Sequence, residues 1–120
     1  MSSVTQVCVT PSHVDLKLVK GTDTELLFTI TDDDGRPFNI TDDVVDFVVR
    51  DSANNIVFSK QNGVGFHLDP QDGTTVFKVV KADLASASDS ERTCWYYKIT
   101  RTRPDSDVFL HIVGLFIVIP

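Results

Sequence analysis

A period of two runs along almost the whole chain, and that pattern limits what the chain can fold into. Alternating apolar and polar residues put one set on each face of a pleated strand; they give no continuous stripe on a helix. Val14, Leu16 and Leu18 alternate with Asp15 and Lys17. Leu26, Phe28 and Ile30 share a face, and Val45, Phe47 and Val49 oppose Asp46 and Arg50. "NIVFSK" follows an Asn- and Ser-rich turn, and "GFHLD" is short. Phe77 and Val79 alternate with Val76, Lys78 and Val80, while Trp95, Tyr97 and Ile99 share a face. The final strand is predicted over 108–119.

Turn chemistry separates these runs: Asp34-Gly35, Asn54-Asn55, Asn62-Gly63, Asp72-Gly73 and "TRPDSD". Only residues 81–91 have room for a helical turn, and their serines limit it to one. Seven to eight short strands spaced in this way predict an all-β, antiparallel sandwich or barrel. It is expected to span residues 14–120, with residues 1–13 an N-terminal arm or extra edge strand.

The 120 residues fit one domain and can bury a core without help from metal or disulfide. The net charge of −6 and the scatter of the eleven Lys and Arg residues argue against phosphate-backbone binding, so no nucleic-acid partner is expected. "MSSVTQVCV" lacks the charged and apolar regions of a secretory signal. The apolar run "VFLHIVGLFIVI" falls short of the about 20 residues of a membrane helix. Cytosolic synthesis and no membrane partner are the expectation. Cys8 and Cys94 match neither a zinc motif nor a disulfide framework and are read as free thiols.

"TDDDGRPFNITDD" holds the densest acidic run. With Gly35 at the sixth position of an EF-hand loop, the first position is Ile30 and the twelfth Thr41, so both end ligands fail. A looser calcium site could draw on Asp32, Asp34, Asp42 and Asp43. The preferred reading is a turn, because Asp-Gly supplies the positive φ that a tight turn needs, followed by a short turn capped by Thr41 or Asp42. His13, His67 and His111 lie in separate segments without metal-ligand spacing. No nucleophile elbow, phosphate loop or dinucleotide fingerprint occurs. No catalytic residue, cofactor or metal is assigned, and no enzyme activity is expected.

The last strand is the oddity. An antiparallel strand with one wet face should alternate, yet here both sets are apolar: Val108, Leu110, Ile112, Phe116 and Val118 on one side, and Phe109, His111, Val113, Leu115, Ile117 and Ile119 on the other. Either one side meets another chain, with Phe109, Leu115, Ile117 and Ile119 as its interface residues, or Gly114 marks a bulge that flips the pattern.

The order of these pieces resembles the immunoglobulin-like domain at the N-terminus of phage baseplate upper proteins and related tail modules. The resemblance rests on Gly21, Asp34 to Pro37, Ile40 to Val44, Phe47 to Asp51, Trp95 to Ile99 and Gly114 to Val118, and it covers about residues 14–119. Trp95 stands where Tyr is usual, and no receptor-binding or fibre segment follows, so a direct role in host recognition is not expected. The resemblance implies an immunoglobulin-like β-sandwich and a non-enzymatic virion protein. Such a protein would assemble with itself, as a homo-oligomer, or with other virion structural proteins in a tail, baseplate or fibre attachment. Capsid decoration is the nearest alternative. A carbohydrate-binding or adhesin-like module using Trp95 and Tyr96 is a further one.

Overall fold

The computed structural model describes residues 12–32 and 34–120. Its strands are β1 (Ser12–His13), β2 (Leu16–Val19), β3 (Thr24–Thr29), β4 (Val44–Arg50), β5 (Ile56–Asn62), β6 (Thr74–Val79), β7 (Thr93–Thr102) and β8 (Val108–Ile119). The two short 3-10 turns are Pro70–Asp72 and Lys81–Leu84, the second within the one segment expected to hold a helical turn. The all-β expectation holds. "GFHLD" is not a strand; it belongs to the β5–β6 loop.

The larger sheet runs β1–β8–β7–β4–β5, and β2 also lies beside β8. The smaller sheet is the antiparallel pair β3–β6. One expectation fails: the sheets are not purely antiparallel, because β1 and β2 both run parallel to β8. No tight hairpin can join parallel neighbours; here they stand at opposite ends of the chain.

The alternation read from sequence decides which side chains enter the core. Val45, Phe47 and Val49 from β4, Trp95, Tyr97 and Ile99 from β7, and Phe116 and Val118 from β8 are buried on one face of the larger sheet. Phe28 and Phe77 come down from the smaller sheet, and Phe47 meets both rings at centroid distances of 5.8 and 5.4 Å. The first contact is edge-to-face and the second tilted, and such aromatic pairs add to the stabilisation from area buried. Trp95 stacks on Phe116 at 6.1 Å.

The aspartate stretch is a turn. Asp32 Oδ1 accepts the N–H groups of Asp34 and Arg36, the Gly35 N–H reaches Asp32 O, and Gly35 sits at φ 80°. The following turn is organised by Asn39, not by Thr41 or Asp42: Asn39 Oδ1 accepts both the N–H and the hydroxyl of Thr41.

β8 carries a bulge, at His111 and not at Gly114. Ile99 pairs with Ile112 while Thr100 pairs with Leu110, so His111 has no counterpart on β7. Directly opposed residues share a face. Phe109 therefore lies on the inner side with Arg101, and Ile112, Gly114 and Phe116 lie on the inner side with Ile99, Tyr97 and Trp95. Gly114 serves a different purpose. A Cβ there would stand 1.9 Å from Val14 O, where the chain crosses between β1 and β2. Tyr97 donates its hydroxyl to that same carbonyl at 2.5 Å, and Asp15 Oδ1 accepts the Leu115 N–H at 2.9 Å. Burial, reinforced by the Asp15 charge, pushes the Tyr97 phenol up to about 12, so it remains a donor.

Candidate docking face

The bulge does not relieve the excess of apolar residues on β8; it sorts them. On the outer side of the strand stand Val108, Leu110, Val113, Leu115, Ile117 and Ile119, opposite Thr102, Thr100, Lys98, Tyr96 and Cys94 of β7. The second sheet packs on the other side, so among the described residues no strand of the second sheet covers this face. Ile117 is only 8% exposed yet stands outside the core cluster, flanked in the sheet by Cys94 and Lys17. Leu115 is half-buried, Tyr96 is exposed, and Ile119 and Val19 are exposed as a neighbouring pair.

Across β4, β7 and β8 this face forms a groove of about 390 Å³. Val48, Tyr96, Val113 and Leu115 supply its apolar lining, with Arg50 and Lys98 at its rim. Asp51 also borders it, but its Oδ1 accepts the N–H groups of Ala53 and Asn55 in the β4–β5 turn. Among the described residues, neither Arg50 nor Lys98 has an ion-pair partner.

Of the four expected interface residues, Leu115, Ile117 and Ile119 share this outer face. Phe109 does not. The expectation placed all four on one side by unbroken alternation; the bulge at His111 shifts the phase, and Phe109 points inward, its ring centroid 4.9 Å from the Arg101 guanidinium.

That guanidinium lies in a buried polar cluster at the end of the core. Arg101 and Asp43 are each 4% exposed and form an ion pair at 2.8 Å. The Arg101 Nε–H donates to His111 Nε2 at 3.1 Å, and Phe38 covers the guanidinium at 4.5 Å. Accepting this hydrogen bond requires His111 to be neutral at Nε2. Burial first, then the Arg101 charge, pulls the His111 pKa down from 6.5 to about 4, against the opposing pull of Asp43. His67 joins the cluster, with Nε2 2.8 Å from Asp43 O and Nδ1 3.1 Å from the Thr75 hydroxyl. Each of these four side chains meets at least one partner inside the fold, so the cluster reads as structural.

The residues weighed for calcium do not converge. Asp43 pairs with Arg101, and Asp32 holds the Gly35 turn. No set of three His, Cys, Asp or Glu side chains among the described residues could hold one ion. Trp95 is buried against Phe116 and offers no face to a sugar. Cys94 is a free, exposed thiol on the outer face; Cys8 lies outside the described residues. The N-terminal arm is described only from Ser12, where β1 joins the sheet beside β8.

Sequence reasoning missed one surface feature. In the β5–β6 loop, Val64, Phe66 and Leu68 are 58%, 79% and 64% exposed. Phe66 and Leu68 fall in "GFHLD", expected as a short strand, and Val64 lies just before it. The available signal was their position between glycines and aspartates, "NGVGFHLDPQDG", where no neighbouring strand could cover them.

Comparison with family models and with curated proteins finds no match for this chain.

Proposed function

We propose that this chain is a non-enzymatic assembly module, an immunoglobulin-like sandwich that docks in a phage tail, baseplate or fibre attachment through the outer face of β8. The observation that carries the docking reading is that face. Six apolar side chains stand on the outer side of a twelve-residue strand in the middle of the larger sheet. A contiguous apolar surface of this kind marks a contact with another protein, and burying it would contribute roughly 25 cal/mol per Å² of apolar surface removed from water.

The immunoglobulin-like reading draws support from strand order. β8–β7–β4–β5 follows the G-F-C-C′ order of the variable-type sheet, and β3–β6 corresponds to the B–E pair facing it. The virion setting draws on the family resemblance of residues 14–119. The test is electron microscopy of particles from the source, labelled with gold-tagged antibody against this chain. Label at the tail end is the expected result. Label over the shell would move the protein to capsid decoration, and particles without label would overturn the virion reading.

A further inference from the structure

Among the described residues two surfaces lack partners, and their chemistries match. The first is the tip of the β5–β6 loop. Phe66 and Leu68 project into solvent, followed directly by Asp69 and Asp72. The Asp72 carboxyl is raised above its usual range by its hydrogen bond to and the charge of Asp69, so two acidic groups crowd each other beside the apolar tip. Among the described residues no Lys or Arg pairs with either. The loop is not loose at its base. His67 bonds to Asp43 O, Phe66 N–H donates to Gly63 O, and Asp69 bridges Thr74.

The second is the groove on the outer face, apolar at Val48, Tyr96, Val113 and Leu115 and cationic at Arg50 and Lys98. An aromatic ring followed by a pair of acids fits an apolar groove rimmed by two cations that have no ion-pair partner among the described residues. The loop cannot reach the groove of its own chain. Gly63, at the loop base, lies against Val44 at the start of β4. Val48, the nearest groove residue on that strand, stands four residues further, roughly 13 Å away, and Arg50 six residues further, roughly 20 Å away, at about 3.3 Å per residue, and the anchors above hold the loop at its own end.

We infer that the β5–β6 loop of one copy inserts Phe66 and Leu68 into the outer-face groove of a second copy, with Asp69 and Asp72 meeting Arg50 and Lys98. The contact is head-to-tail, so it repeats into a ring or an open filament and does not close as a two-fold dimer. This rests on the docking reading above, takes a second copy of this chain as the partner, and names the part of that neighbour that fills the groove.

The experiment uses two variants that alter only exposed side chains, Phe66→Ser in the loop and Tyr96→Glu in the groove, with circular dichroism to confirm folding. Leu68→Ser and Lys98→Glu form a second pair should either first choice fold poorly. Sedimentation velocity over a wide concentration range reads association. Wild type is expected to form species larger than dimers, and each variant alone to associate about tenfold or more weakly. Mixing the two variants should restore one intact loop–groove contact and give a dimer that grows no further. A mixture that stays monomeric, or a Phe66→Ser variant that assembles as wild type does, overturns the inference. If wild type assembles and Leu115→Glu abolishes this while Phe66→Ser does not, the outer face stands as the docking surface and only the loop assignment falls. A wild-type chain that is monomeric throughout removes self-docking altogether.

Discussion

Replacing Arg101 by Met tests how the buried end of the core is held. The substitution keeps most of the side-chain volume and removes the charge. Asp43, 4% exposed, then loses the guanidinium 2.8 Å away. A buried carboxylate left without its counter-ion costs about 3–5 kcal/mol. Loss of the stacking between Phe38 and Phe109 adds about 1 kcal/mol. The sum is a large part of the roughly 5–15 kcal/mol that stabilises a domain. Urea unfolding at low temperature should therefore show the midpoint falling steeply at nearly constant slope. The double variant Asp43→Leu with Arg101→Met should recover most of the loss, because a buried ion pair exchanged for apolar groups of similar volume is near neutral. The reasoning is refuted if Arg101→Met costs less than about 1 kcal/mol, or if the double variant costs the sum of the two single ones.

Acid should weaken the fold through His111. In the folded chain it stays neutral down to about 4, whereas unfolded it binds its proton near 6.5. Its contribution is whole above pH 6.5 and is lost as pH falls toward 4, roughly 3 kcal/mol across that window. His111→Gln keeps an acceptor for Arg101, and its stability curve should be flatter there; identical curves would exclude His111 as the titrating group. Gly114→Ala drives a methyl against Val14 O and should destabilise by about 1–3 kcal/mol or more. Hydrogen exchange should then show loss of protection in Leu16–Val19 first, and unchanged protection would contradict the crossing described. Tyr97→Phe removes the donor to Val14 O and should cost about 1 kcal/mol in thermal unfolding.

The inner faces of β3, β4 and β7 were legible because each strand is buried on one side only, and a single alternation is then enough to assign it. Phe28, Phe47, Trp95 and Tyr97 all lie where the period places them. β8 defeated that logic for a local reason. Both its sides are apolar, so hydrophobicity carries no phase, and the one-residue shift at His111 left no mark that alternation could detect. Gly114 drew attention correctly but for the wrong cause: it marks a close backbone approach from residue 14, a contact 100 positions away in the chain. The parallel pairing of β2 with β8 was hidden for the same reason, since local turn chemistry reports only on hairpins. The Asp43–Arg101–His111 cluster draws on three segments, and nothing in the spacing of those residues announces it. The groove was half legible. Leu115 was expected at an interface, but Val48 and Lys98 join it in the groove only through the β4–β7–β8 order.

Cys94 allows the docking claim to be tested on the face itself. It is exposed, and it stands opposite Ile117 on the outer side of the sheet. In a Cys8→Ser background, maleimide labelling of Cys94 should be fast in the dilute chain. It should slow by about tenfold or more once sedimentation shows assembly, because the outer face is then covered by a neighbour. A labelling rate that stays the same in the assembled state would mean that this face remains open to water, and that the apolar side of β8 is not where the chain docks.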